Sequence, residues 1–211
     1  MSQSTYHTSG QHWVTYYQAV EGRPPRETLL RALANFDAEP PFSGSLEPPL
    51  AVDLGCGDGR DTVELLRRGW QVLAIDGESK AFDRLLNRPE LQRDRLQTQL
   101  MQFEVLSLPP AVDLVNASFC LSFCPSANFP DLWQTVVISL RAGGRFCGQL
   151  LGERDSWAVY PNRTHHTRQQ VESLLQPFEV EWLEEEEHPG VTAIGEEKYW
   201  HIFHIVARKK G

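Results

Sequence analysis

No stretch of these 211 residues is long and apolar enough to span a bilayer, and the polar opening Met1 to Gly10 lacks the build of a secretory leader, so the cytoplasm is the expected location. Basic residues are outnumbered: 20 Lys and Arg against 28 Asp and Glu leave a net charge of −8, the wrong sign for a phosphate backbone, so no nucleic-acid partner is expected. Arg84, Arg88, Arg93 and Arg95 do cluster, but Asp83, Glu90 and Asp94 interleave with them, which reads as a solvated helix face. No C-x-x-C pair occurs, so neither a zinc ribbon nor a thioredoxin-type site is suggested. Cys120 and Cys124 are either a redox or metal pair or two small buried residues near a strand end; the second reading is adopted. No internal repeat is present. What remains, with 41% apolar residues, is the size and composition of one α/β domain with a full core.

The most informative stretch is Ala51-Val-Asp-Leu-Gly-Cys-Gly-Asp-Gly59. Apolar residues and an acid end a buried strand, three glycines follow at alternate positions, and Arg60 to Arg68 reads as a helix stopped by Gly69. Glycine lets the chain turn sharply and lets a ligand approach the backbone with no Cβ in the way. A dinucleotide loop, G-x-G-x-x-G, would carry its last glycine where Arg60 stands. Asp53 and Asp58 would repel a pyrophosphate but suit a ligand bearing an amine and a sulfonium. Seventeen residues beyond Gly59, Asp76 ends a second apolar run from Gly69, where an acid can accept both hydroxyls of a ribose; the alternative is a solvated acid at a strand end.

The D-x-G-x-G-x-G pattern resembles the first motif of class I S-adenosylmethionine-dependent methyltransferases. The resemblance extends over roughly residues 50–208. Apolar runs at Leu50–Asp53, Gln71–Asp76, Leu96–Met101, Asp113–Ser118 and Arg145–Leu151 alternate with helical segments, which implies a doubly wound, Rossmann-like parallel sheet with helices on both faces. Phe178 to Trp182 alternates like a one-sided edge strand, whereas Trp200 to Ala207 is apolar on both faces like an inserted one; the family layout has seven strands with the last antiparallel. Ser139 to Phe146 resembles the family's turn before the fifth strand, with Ala142 in place of a proline. Thr167 is expected to cap a helix to Gln176, and Glu184 to Glu187 to be a solvated strand end. The overall layout resembles small-molecule methyltransferases of the tellurite-resistance type.

This resemblance implies S-adenosylmethionine as cofactor, held by Asp53, Gly55, Cys56, Gly57, Asp76 and Gly77, with Phe103 and Glu104 at the adenine and Ser118 completing the site. The acceptor would be a small molecule, with Trp13, Tyr17, Phe119, Trp157 and Trp200 as substrate-side candidates. The Asn/Asp-Pro-Pro-aromatic tetrapeptide of enzymes that methylate adenine or glutamine amides is missing at Asn116-Ala-Ser-Phe119. A hydroxyl acceptor would need a base, for which Asp155, His165 and His166 are available; no third ligand accompanies the two histidines, so no metal is expected. Residues 1–49 are expected to be a helical lid and connector, and residues 50–211 the methyltransferase domain. Two other readings remain: a binding module that keeps the cofactor cradle without catalysis, and a nicotinamide-dependent oxidoreductase, against which Asp53 and the loop spacing count. The acceptor, its reacting atom and the oligomeric state stay open.

Overall fold

The computed structural model describes residues 10–39 and 47–211. Two helices, α1 (Gly10–Val20) and α2 (Glu27–Asp37), precede the sheet. Then come β1 (Leu50–Leu54), α3 (Arg60–Arg67), β2 (Gln71–Asp76), α4 (Ser79–Leu86), β3 (Leu96–Leu100) and β4 (Val112–Ala117). The chain ends with α5 (Phe129–Ser139), β5 (Leu140–Leu151), α6 (Arg168–Leu174), β6 (Phe178–Val191) and β7 (Glu197–Lys209). The seven strands lie in the order β3-β2-β1-β4-β5-β7-β6. The five strands from β3 to β5 pair in parallel, and β7 runs antiparallel to both β5 and β6.

Two apolar layers explain this arrangement. One packs α5 and α6 residues such as Trp133, Val136 and Val171 against Val52, Val115, Phe146 and Phe203. The other packs Leu29 and Leu33 of α2 and Leu65 and Leu66 of α3 against Ala51, Val72, Leu114 and Val206. A strand covered on both faces has no polar side, which is why β1 reads as an unbroken apolar run up to Asp53. The strand order reverses between β1 and β4, and ligands of such sheets bind outside that switch point, at the carboxyl edge.

Several local expectations are corrected. The stretch expected as a turn before β5 is already strand, because β5 begins at Leu140; the glycines register there only as a positive φ of 76° at Gly143 and a shift in the β4–β5 register. Helix α6 carries the Thr167 capping box but closes at Leu174, two residues short of Gln176. The four acids Glu184 to Glu187 are not a strand end. They lie mid-way along β6, where Arg154 bridges Glu185 and Glu187, Arg168 meets Glu185, and His201 and His204 meet Glu185 and Glu186. These partners offset the mutual repulsion and let the strand run on. Beyond His201, β6 and β7 continue as a two-stranded arm closed by a turn in which the Gly195 amide donates to the Thr192 carbonyl. The arginine cluster is no helix face either. Only Arg84 is in α4; Arg88 binds Asp58, Arg93 the Leu86 carbonyl and Arg95 the Gly69 carbonyl.

Candidate active site

The glycine loop is clamped from both sides. The Cys56 amide donates to the Ile75 carbonyl at 3.0 Å, and the Gly57 amide donates to Asp76 Oδ2 at 2.9 Å. Asp76 Oδ1 accepts from the Glu78 amide at 2.8 Å. The acid at the tip of β2 thus ties the first loop to the second, and each oxygen keeps a further lone pair. Burial raises the Asp76 pKa, and the two amide bonds pull against that rise. Gly55, Gly57 and Gly59 all have positive φ, between 55° and 83°. At Gly55 the space a Cβ would need is filled by the Cys120 side chain, so this glycine serves close packing of the β1 and β4 ends. Asp58, expected to lend the loop negative charge, is paired with Arg88 at 2.8 Å.

Beneath the loop lies a polar cluster of which the sequence showed only part. Asp53 is buried and accepts from Thr62 Oγ1 at 2.5 Å and from Asn116 Nδ2 at 2.8 Å. Asp61, in the first turn of α3, faces it. Asp61 accepts from the Arg26 amide at 2.9 Å, from Ser118 Oγ at 2.7 Å and from the same Asn116 amide at 3.1 Å. Burial and the second carboxylate push Asp53 well above the usual carboxylate range. One amide shared by two acids is the arrangement expected where like charges meet in a dry place. Arg26 runs beside this cluster and over the Phe119 ring, 4.4 Å from its centroid. Its Nε is buried with no hydrogen-bond partner among the described residues. Burial and the nearby Arg60 pull Arg26 down to about 10. Asp61 and Arg26 carry no local motif; Asp61 stands three residues after Asp58, and only the fold shows which acid points inward.

All nine residues expected at the cofactor line one cleft of about 910 Å³: Asp53, Gly55, Cys56, Gly57, Asp76, Gly77, Phe103, Glu104 and Ser118. Phe103 and Glu104 sit on a short 3₁₀ turn after β3. Tyr17, Phe119, Trp157 and Trp200 line the same cleft from other sides. The Trp13 side chain lies outside the described residues. Tyr17 is buried under α1 against Gly57, and burial followed by the charge of Asp76 drives its phenol strongly upward. Phe119 has φ +55°, a left-handed backbone unusual for an aromatic residue, held by a bond from its amide to Gln149 Oε1. That backbone turns its ring into the cleft, edge-on to Trp200 and His204 at 6.3 Å each. Trp200 in turn neighbours Trp157 at 6.1 Å, and Trp157 neighbours Phe123 at 6.3 Å. The cleft therefore has an acidic wall and an aromatic one.

The three candidate bases do not line it. Asp155 is fully buried and ion-paired with the equally buried Lys198, and it accepts from the Trp157 and His201 amides. This carboxylate anchors the loop after β5. His166 packs on Phe129 at 4.5 Å, and burial lowers it to about 4. His165 is also lowered by burial. The four cysteines are buried thiols, and burial raises each of them. Among the described residues, Glu185, Glu187 and His201 come together at metal-ligand spacing, but the Arg154 guanidinium sits among all three at 2.7 to 3.2 Å.

Comparison with known proteins places this site in context. Residues 51–144 match the family described as a methyltransferase domain. A comparison of the sequence with curated proteins gives no match. Among solved structures, TehB from Haemophilus influenzae superposes with a TM-score of 0.72 at 15% identity, over 88% of this chain and 62% of that one, so this chain spans under two thirds of TehB. The 1,6-didemethyltoxoflavin-N1-methyltransferase of Burkholderia thailandensis, solved with S-adenosylhomocysteine, gives 0.64 at 20% identity over 99% and 85% of the chains. The N-methyltransferase NodS from Bradyrhizobium japonicum gives 0.66 at 14% over 87% and 93%. At these identities the likeness concerns the fold. The matched segment contains the glycine loop, Asp76, Glu104 and Ser118, which are the residues that build the acidic wall. Residues 51–144 are thus similar to a methyltransferase domain, and the strand order gives the chain a Rossmann-like frame.

Proposed function

We propose that this chain is an S-adenosylmethionine-dependent methyltransferase acting on a small-molecule acceptor, akin in layout to the tellurite-resistance type. The observation that carries the reading is the single cleft in which the matched methyltransferase segment faces an aromatic wall from β4, β5 and β7. The residues fit the cofactor. The orphaned Nε of Arg26 suits its carboxylate, Asp76 suits its ribose hydroxyls, and Asp53 with Asp61 suits its cationic amine and sulfonium end. Phe103 and Glu104 would take the adenine.

Bound there, S-adenosylmethionine supplies a methyl group on sulfur that is already a good leaving group. What the chain contributes is orientation and exclusion of water, worth several kcal/mol. Ser118 and Phe119 at the β4 tip stand between the two walls and align the acceptor with the methyl. Helix α1, through Tyr16, Tyr17 and Val20, covers the cleft as a lid. A net charge of −8 and a cleft of this size favour a metabolite over a polymer.

Calorimetry should show binding of S-adenosylmethionine and S-adenosylhomocysteine and none of NADH. Turnover to S-adenosylhomocysteine against a metabolite panel then identifies the acceptor. Binding of NADH alone would overturn the reading. Deleting residues 1–22 should cut turnover and affect cofactor affinity less, and hydrogen exchange in residues 15–20 should slow with cofactor. Exchange indifferent to cofactor, with full turnover by the truncated chain, makes α1 a packing element only.

A further inference from the structure

The aromatic wall ends in a row of polar groups on β6 and β7. His204 Nε2 lies 2.7 Å from Glu186 Oε2, and Glu186 Oε1 lies 2.7 Å from His188 Nε2. The second nitrogen of His188 lies 2.8 Å from the Pro189 carbonyl. All three side chains line the cleft. His204 is largely buried, with 16% of its side chain exposed, whereas His188 is 44% exposed. The row therefore runs from the cleft interior outward to solvent.

The geometry sets the proton positions. A carboxylate is an acceptor, so His204 donates from Nε2, and a neutral imidazole that donates from one nitrogen carries a lone pair on the other. No hydrogen bond among the described residues engages that other nitrogen, Nδ1. Stacking on Trp182 at 5.8 Å and the edge of Phe119 at 6.3 Å hold the ring in place. His188 faces acceptors with both nitrogens, and the Pro189 carbonyl and then Glu186 raise its pKa at the outer end of the row.

We propose that His204 is the general base of this cleft, oriented by Glu186 and His188, and that the acceptor is a planar aromatic molecule methylated on an O–H or N–H. The proposal rests on the methyltransferase reading above. The acceptor's proton passes to His204 Nδ1, and the bonding pair left on the acceptor atom forms the new bond to the methyl carbon. The pair that joined that carbon to sulfur leaves with the sulfur. Stacking between Phe119, Trp157 and Trp200 selects a flat acceptor, and the strained Phe119 backbone supports its placement there. Other charged groups around His204 are its cross-strand neighbour Glu184 and, from the α2 side, Arg26 over Phe119 and Arg31 over Trp182 with its partner Glu27. None of them has a hydrogen bond to the imidazole among those described, so the Glu186 contact governs its tautomer.

The test uses the full-length protein, His204→Gln and Glu186→Gln, with catechols and hydroxyquinolines as O–H probes and thiophenol as a probe that ionises unaided. Nitrogen NMR of the S-adenosylhomocysteine complex should show His204 protonated at Nε2 and bare at Nδ1 near neutral pH. His204→Gln should lower kcat for the O–H probes about 10²- to 10⁴-fold and erase the acid limb of their pH profile, with thiophenol falling far less. Glu186→Gln should give a smaller loss and a shifted limb. Both variants should bind S-adenosylhomocysteine as the parent does. A proton on Nδ1, an unchanged O–H profile in His204→Gln, or an equal loss for both probes overturns the base assignment while leaving methyl transfer intact. Failure of the parent protein to bind S-adenosylhomocysteine overturns the underlying reading as well.

Discussion

On the cofactor wall of the cleft, the glycine loop and the strand-tip acids are fastened in part by elements adjacent in sequence, while Asn116, Ser118 and the Arg26 amide reach Asp53 and Asp61 from farther off. Asp76 holds amides one loop away and two residues away, and Thr62 reaches Asp53 from the next turn of chain. On the acceptor wall the partners are distant: Asp155 meets Lys198, Gln149 meets Thr28, and Arg154 meets Glu185 and Glu187. The loop and strand-tip part of the first wall is a local construction that a short motif can specify. The second exists only once β7 has been inserted between β5 and β6.

The largest test of the contrast is the Asp155–Lys198 pair. Both side chains are completely buried, so Asp155→Ala leaves an unpaired ammonium in the interior. Breaking such a pair costs about 3–5 kcal/mol. In a chain of this size that is a fall in Tm of roughly 6–20 °C. Thermal unfolding checks it. Normal stability combined with lost turnover would return Asp155 to the chemistry.

Next comes Gly55→Val. The introduced side chain would overlap Cys120 and force a branched residue to a φ of 62°. The backbone part alone costs about 1–3 kcal/mol. The effect should appear as reduced stability before any specific loss of ligand. Adding Cys120→Gly should restore part of that stability, because it removes the atoms in the way. A stable Gly55→Val protein that only fails to bind S-adenosylhomocysteine would mean that the ligand, and not Cys120, claims that space.

The unequal legibility of the two walls follows from the same contrast. Glycines that need positive φ and acids at strand tips leave a fixed spacing, so Asp53, Gly55, Gly57 and Asp76 could be read from residue order. Asp61 could not, because its neighbour Asp58 is an equally good acid until α3 turns one inward and hands the other to Arg88. The His188, Glu186 and His204 row was hidden in a run of four acids whose partners arrive from β7. Alternation of acids and apolar residues in Phe178 to Trp182 marked a strand, but its continuation to Val191 depends on partners from β7 and on Arg154 and Arg168, which no local rule detects. Of the histidines most visible in sequence, His166 packs on Phe129, and neither it nor His165 lines the cleft.

Asp76→Ala is the intermediate case, confined to the local wall. It removes the proposed acceptor for two ribose hydroxyls and the acceptor of the Gly57 and Glu78 amides, to which water can then bond. A loss of tenfold or more in affinity for S-adenosylmethionine is expected, about 1.5–3 kcal/mol, with little change in Tm. Calorimetry on the folded variant decides it, and an unchanged Kd would remove Asp76 from the site.

The smallest expected effect sets one buried group behind each wall against the other through pH. Asp53 has its folded pKa raised by burial and the second acid, so the native protein keeps a proton that the unfolded chain releases near pH 4. Its contribution to stability therefore falls as pH rises from about 4 through the folded pKa, and is flat above that. His166 is the mirror case. Its folded pKa is lowered from 6.5 to about 4, so the unfolded chain takes up a proton that the native one refuses. Stability falls as pH drops from about 6.5 to 4, and is flat below. Asp53→Asn should thus stabilise the protein at neutral pH while weakening the cofactor, and His166→Gln should flatten the acid side while leaving cofactor affinity alone. The changes are readable from urea midpoints between pH 4 and 8. Both windows lie between about pH 4 and 7 but act with opposite sign, so a change of slope in the same sense in both variants would mean that the two walls share one titrating group.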